Sequence, residues 1–192
     1  MKKFVTSVLA TSVAFCATPA FAEVTSGARA EVMVGYDEVS IDLSDFGLAN
    51  ESQGDVAYGV GLGYDFAVSP NAALGIDVEY SDSSAKFEYA VAPETLVAST
   101  GRDLYVGARA TFAVSDSFNL YAKAGYTNAR VKIVYDDGVT AISESGNGEG
   151  IRGGIGGQVS FGKAYGFAEY RYSNYEAGIS RNQGMVGLGI RF

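Results

Sequence analysis

Residues 55–68 read DVAYGVGLGYDFAV. Val56, Tyr58, Val60, Leu62, Tyr64, Phe66 and Val68 are large, apolar and placed at every second position. Ala57, Gly59, Gly61, Gly63 and Ala67 fill the positions between, together with Asp55 and Asp65. A period of two sends these sets to opposite faces of one β-strand. One face is a continuous apolar stripe. The other is small, with a charge at each end. A sandwich strand in a water-soluble protein also alternates, but its solvent face is ordinarily bulky and polar. This second face is small enough to line a narrow interior. A membrane-crossing β-strand needs about 9–11 residues, and this stretch is long enough.

The first 22 residues read as a secretory leader. Lys2 and Lys3 form a positive start, residues 4–17 are apolar and uncharged, and Ala20-Phe21-Ala22 is an A-x-A cleavage site. The mature chain is expected to begin at Glu23. The apolar run is short for a transmembrane helix, which needs about 20 residues. Cys16 is the only cysteine, and Phe15 stands where lipoprotein processing wants a small residue. Without the two leader lysines, the 14 basic residues fall to 12 against 22 acidic ones. That balance argues against nucleic acid as a partner. The remainder has no apolar run of helical span length. Histidine is absent, which removes the commonest general base and transition-metal ligand.

Seven further segments repeat the alternation, giving strands at 28–39, 55–68, 72–81, 102–114, 118–131, 150–161, 164–172 and 183–192. The phase blurs after Asn128 and admits a bulge there. Polar loops are expected at 41–54, 82–101, 134–149 and 174–182. Within 82–101, Phe87, Tyr89 and Val91 alternate, which admits a hairpin extending beyond the membrane. Tight turns are expected at Ser69-Pro70-Asn71, Ser115-Asp116-Ser117 and Gly162-Lys163.

Eight strands joined alternately by long and short connections have the pattern of an outer-membrane barrel: short periplasmic turns and longer external loops. The predicted fold is an all-β, eight-stranded, antiparallel up-and-down transmembrane barrel over residues 23–192. On its apolar face Phe66, Phe112, Phe118, Phe161 and Phe192 fall near the short turns. Tyr36, Tyr58, Tyr80, Tyr126, Tyr170 and Tyr172 fall near the long loops. Two membrane interfaces select two such belts.

The mature chain resembles the small eight-stranded outer-membrane barrels of the opacity-protein and OmpA-transmembrane type. The resemblance rests on FAEYRYS at 167–173 and on the terminal GMVGLGIRF at 184–192. A last strand ending in Phe192, with Ile190, Leu188 and Val186 before it, looks like the signal read by the barrel-assembly machinery. The resemblance implies that machinery as a partner during biogenesis, outer-membrane lipid as surroundings, and the bacterial outer membrane as the location. Full-length OmpA carries a periplasmic peptidoglycan-binding domain after its barrel. Here the sequence stops at Phe192, so the resemblance predicts no cell-wall anchoring.

Other motifs have structural readings. Gly148-Glu149-Gly150-Ile151-Arg152-Gly153 matches G-x-G-x-x-G, but it enters a strand and no helix follows, so it is not a dinucleotide site. Asp42, Asp45, Glu51, Glu88, Glu94, Asp136, Asp137 and Glu144 make the loops acidic. None of the loops has the spaced ligand series of an EF-hand, so these read as solvated charges, with calcium binding or divalent bridging to lipopolysaccharide as the alternative. Asn50-Glu51-Ser52 matches a glycosylation sequon, which has little meaning in a bacterial outer-membrane protein.

The inward charges are more informative. Alternation places Asp77, Glu79, Arg109, Lys123, Glu169 and Arg171 in the lumen. An eight-stranded barrel is just wide enough to be filled by its own side chains, so these read as a charge-paired plug. Counting from the short turns sets Arg109 opposite Lys123. Asp77 and Glu169 are expected to neutralise them, with Glu79 and Arg171 in the layer above. The functional expectation is a non-enzymatic surface barrel without cofactor, metal site or catalytic residues, its long loops meeting an extracellular ligand. The alternative is a narrow porin-like channel. Outer-membrane enzymes of this architecture use histidine. A lipocalin-like barrel in water would leave the aromatic belts without a reason.

Overall fold

The computed structural model describes residues 24, 26–41, 51–84, 86–91, 94–136, 141–176 and 178–192. They form β1 (Gly27–Ile41), β2 (Glu51–Ser69), β3 (Ala72–Ser83), β4 (Lys86–Val91), β5 (Glu94–Ala113), β6 (Phe118–Asp136), β7 (Ala141–Phe161), β8 (Ala164–Tyr175) and β9 (Ile179–Arg191). Eight of them close into a ring. β1 pairs with both β2 and β9, and β3 pairs with β5. β4 stands outside the ring. It pairs only with the outer half of β5, from Lys86 opposite Ser99 to Val91 opposite Glu94. It thus prolongs the lane of β3 outward, as the alternation of Phe87, Tyr89 and Val91 implied.

The register measures the tilt. Arg29 pairs with Gly63, Gly63 with Asp77, Asp77 with Gly107 and Gly107 with Gly125. Gly125 pairs with Arg152, Arg152 with Ser173, Ser173 with Arg181 and Arg181 with Val39. One circuit therefore begins at Arg29 and returns ten residues further along the same strand, at Val39. For eight strands this shear corresponds to a tilt of about 43° and a backbone radius of about 8 Å, given the ordinary strand rise and spacing. Such a bore holds side chains and little else.

The expected alternation runs through the barrel. β3 and β8 bury every second residue along almost their whole length. Outward stand Val32, Val34, Leu62, Ile76, Val106, Ile155 and Leu188, all about half exposed or more. Tyr36, Tyr58, Tyr80, Tyr126, Tyr170 and Tyr172 ring one end of that surface, and Phe66, Phe112, Phe161 and Phe192 the other. Tyr58 and Phe66 lie eight residues apart, as do Tyr126 and Phe118. At the tilt above, that separation is about 19 Å along the membrane normal, and the rings at each end extend it toward the apolar band of about 25 Å.

Three differences from the sequence expectation stand out. Strands reach much further outward than the loops at 82–101, 134–149 and 174–182 allowed. Thr95 pairs with Asp136, Asp136 with Ala141, and Asn174 with Ser180. These extensions lie beyond the membrane, where both faces can be polar and no alternation is needed. The ladder alone holds them. Second, the bulge is on the partner strand. Gly101 and Arg102 of β5 stand opposite the single residue Arg130 of β6. Third, Arg181 lies within β9 rather than in a loop. The turn at Gly162 behaves as expected; its φ of +72° is a left-handed value that glycine adopts without strain. Residues 1–23 and 42–50, with the expected leader, Asn50 and the loop acids Asp42 and Asp45, lie outside the described residues, as does Asp137.

Candidate functional site: the charged lumen

An inward residue on a tilted strand of a narrow barrel points at the opposite wall within a few ångströms. Long side chains must bend along the wall, and a neighbouring side chain would block them. Glycine on the strand between removes that obstacle. Gly63 lies between Arg29 and Asp77 in register. A Cβ built on Gly63 would sit 2.6 Å from both Arg29 Nη2 and Asp77 Oδ1. The guanidinium crosses over this glycine to its carboxylate. Gly189 is likewise flanked by Tyr165 and Glu31, whose side chains meet across it at 2.6 Å. Gly156 separates Tyr121 from Glu169, which meet at 2.8 Å. Gly63 of the opening stretch is thus a saddle for an ion pair, and Gly189 and Gly156 are saddles for tyrosine–carboxylate hydrogen bonds. Gly63→Ala is expected to cost about 1–3 kcal/mol, the range for overpacking a filled interior. A urea titration from lipid vesicles measures it, and an unchanged midpoint would mean that Arg29 and Asp77 can pass another way.

Three tiers of buried charge result. Nearest the short turns, Arg29 donates from Nε to Asp65 Oδ2 at 3.0 Å and from Nη1 to Glu31 Oε1 at 3.1 Å. Its Nη2 donates to Asp77. Glu31 Oε1 also accepts from Arg109 Nη1 at 3.1 Å. Arg109 donates to Gln158 and lies with its guanidinium carbon 3.6 Å over the Tyr121 ring. In the middle, Lys123 Nζ lies 2.7 Å from Glu169 Oε1 and also meets Glu79. Arg171 Nη1 lies 3.1 Å from Glu79 Oε2, and its Nε donates to Glu169. Two cations and two carboxylates there form a closed square.

The outer tier is built on Asp103. Its Oδ2 is 3.0 Å from Arg181 Nη1, meets Arg152, and accepts from the Tyr175 hydroxyl at 2.9 Å. Thr127 donates to Oδ1. Arg181 Nε reaches Asp37 Oδ1 at 3.1 Å, and Arg152 Nε reaches Ser173 Oγ at 2.8 Å. Every ring strand contributes to the tiers. Among the described residues the buried cations are Arg29, Arg109, Lys123, Arg152, Arg171 and Arg181. The buried carboxylates are Glu31, Asp37, Asp65, Asp77, Glu79, Asp103 and Glu169. Six against seven is close to neutral, as a low-dielectric interior requires.

All six residues singled out in the sequence are buried on the lumen side. Arg109 does stand opposite Lys123. The partners differ from those expected. Asp77 faces Gly107 and is taken by Arg29, while Arg109 turns to Glu31. Glu79 and Arg171 share one tier with Lys123 and Glu169 rather than forming a layer above. Counting residues from each turn gives height but not direction around the wall, and here the glycines set the direction. Arg29, Glu31, Asp37, Asp103 and Arg152 carried the right alternation but lay away from mid-height. Arg181 was hidden by its polar surroundings. Val186, Leu188 and Ile190 share the outward face of β9, and Phe192, just past its end, is exposed as well.

Comparison with known proteins places this geometry. Among solved structures, Neisserial surface protein A superposes with a TM-score of 0.60 at 14% identity, covering 87% of this chain and 98% of that one. Ail, the attachment invasion locus protein of Yersinia pestis, does so with a TM-score of 0.55 at 17% identity, covering 88% and 100%. Ail in complex with the heparin analogue sucrose octasulfate gives 0.57 at 18%, covering 86% and 99%. At such identities the likeness is one of fold. No curated protein sequence matches the chain. Residues 8–192 match the model of one family, and by that match together with the closed ring, the aromatic belts and the inward charges, the chain belongs to the outer membrane protein beta-barrel domain family and resides in the outer membrane.

Proposed function

We propose that the protein is a non-enzymatic surface barrel. Its lumen is closed by the three charge tiers, and its outer end is the interaction surface. The observation that carries this reading is that every buried charged side chain among the described residues has an ion-pair partner. Side chains from opposite walls meet at two heights, Arg171 with Glu79 at 3.1 Å and Arg181 with Asp103 at 3.0 Å. The absence of histidine supports a non-enzymatic role. Planar-bilayer recording of refolded protein tests the closure: no steady current is expected, and large stable currents would favour the narrow channel instead.

Charge also selects the partner. Residues 38–55, 82–102, 130–149 and 174–180 hold 13 acidic and four basic residues. The Ail structure holds a polyanion; this outer end suits a partner of opposite sign, a cationic protein surface. Binding of whole cells to basic and acidic peptides at low and high salt distinguishes the two, since exposed charges are screened beyond about 8 Å at physiological salt.

Two features of biogenesis belong to the same reading. Residues 1–22 act as a cleaved leader, so intact mass of outer-membrane protein should begin at Glu23. Phe192 acts as the assembly signal together with Ile190, Leu188 and Val186. It is 72% exposed at the rim, so its loss should cost roughly 1.5–3 kcal/mol at most. Deleting Phe192 should lower the outer-membrane level in cells while refolding in detergent stays efficient. Normal insertion in cells would remove its role as a signal.

A further inference from the structure

We propose that Val24 and Ser26 strap the short-turn mouth of the barrel, a lid on the periplasmic side that covers the inner ends of β2, β3 and β5. The lid lies below the charge tiers and does not rest on them. The inward faces of β3 and β5 carry polar or small residues from Ser83 down to Gly75 and from Asp103 down to Thr111. They end in two alanines, Ala73 and Ala113. An apolar pair at a wet mouth would face water, yet both are buried. Val24 packs with them and is itself only 3% exposed.

The path of the chain makes this contact a crossing. β1 borders β2 and β9, whereas the two alanines lie on β3 and β5. To reach them the chain before Gly27 leaves the lane of β1 and passes the end of β2. Two hydrogen bonds trace the passage. The β1–β2 ladder stops at Gly27 opposite Asp65, and the Ala67 amide beyond it donates to Ser26 Oγ at 2.8 Å. The β2–β3 register then slips between Ala67 and Ser69, and a bulged strand bends. In the turn that follows, the Pro70 carbonyl accepts from the Val24 amide at 2.8 Å. Gly27 is the point of departure. A Cβ there would sit 2.6 Å from the Phe192 carbonyl oxygen, so only glycine lets the chain pass beneath it. A strap held by two hydrogen bonds and one buried valine opens at far lower cost than a ladder strand. Opening it uncovers Thr111, the next inward residue above Ala113, and leaves the ring paired. The expected cut before Glu23 leaves Val24 second in the mature chain, so processing spares the strap.

Thiol labelling of the refolded protein in detergent tests the lid. Thr111→Cys, in a Cys16→Ser background that removes the one native cysteine, places a thiol on the lumen wall behind Val24. Ser117→Cys, in the exposed turn at the same end, is the reference. A small water-soluble maleimide should label Thr111→Cys far more slowly than Ser117→Cys. Adding Val24→Ala should speed the labelling of Thr111→Cys about tenfold, the burial that two methyl groups contribute, and leave Ser117→Cys unchanged. Gly27→Val keeps Val24 but blocks the passage beneath Phe192, and should act in the same direction. Equal rates at Thr111→Cys with and without Val24→Ala overturn the proposal. So does labelling of Thr111→Cys as fast as Ser117→Cys when Val24 and Gly27 are intact. If Gly27→Val loses heat-modifiable migration and so has not folded, the Val24→Ala comparison carries the test. The comparison of Thr111→Cys with Ser117→Cys needs no change in the strap at all.

Discussion

Glu31→Ala is expected to lower the unfolding free energy by about 3–5 kcal/mol, the cost of leaving a buried charge without its partner. Glu31 Oε1 contacts Arg29 at 3.1 Å, Arg109 at 3.1 Å and the Tyr165 hydroxyl at 2.6 Å. The two arginines are not equally dependent on it. Arg29 keeps Asp65 and Asp77 when Glu31 is removed. Arg109 has no other carboxylate within ion-pair distance among the described residues, and keeps only Gln158 and the face of Tyr121. Its buried guanidinium is then the source of the loss. Asp65→Ala is the control. It removes one of three carboxylates from Arg29 and should cost about 1.5 kcal/mol, a single hydrogen bond to a charged group. Urea titrations of both variants from lipid vesicles measure the difference. Equal losses would mean that Arg109 finds a second acceptor in the lumen.

Leu62→Arg should cost about 2–4 kcal/mol and Tyr36→Arg only about 0–1, since the penalty for a cation on the lipid face depends on depth. Leu62 is 66% exposed and pairs with Ala30 and Val78, midway between the belts. Tyr36 belongs to the outer belt, where a guanidinium reaches water. Ile76, Ala108 and Ala122 share the depth of Leu62, and Ile76 pairs directly with Ala108. Arginine at any of them should behave like Leu62→Arg. The same titration reads both, and equal losses at Leu62 and Tyr36 would place the membrane at a different height.

Most of the barrel was legible because two solvents act on it. Wherever one face meets lipid and the other a narrow lumen, residues must alternate, and Val56–Val68 or Leu74–Tyr80 show it without ambiguity. Past the tyrosine belt both faces meet water and that pressure ends. The strand portions at 132–136 and 141–149 therefore resemble loops in sequence, and Arg181 falls inside the polar stretch at 174–182. The lumen was legible in membership and not in pairing. Alternation put Asp77, Arg109, Lys123 and Glu169 inside. Which of them touch depends on where Gly63, Gly156 and Gly189 let a side chain cross to the next strand but one, and that follows from the register of three strands at once. The bulge shows the same limit. The disturbed phase appeared on β6 after Asn128, but the extra residue lies on β5, at Gly101-Arg102.

The closure of the ring through β1 and β9 has a consequence for biosynthesis. Thirteen residue pairs join the first strand to the last, from Arg29 with Arg191 to Ile41 with Ile179. A ribosome delivers β1 long before its partner exists. Until β9 emerges, β1 offers a bare ladder of amides and carbonyls along a strand whose outer face is Val32, Val34 and Tyr36, the kind of edge that pairs with whatever strand is nearby. Pairings this distant in sequence also form slowly. A partly made copy therefore cannot protect itself by folding, and its first strand stays open to mispairing until the last one is in place.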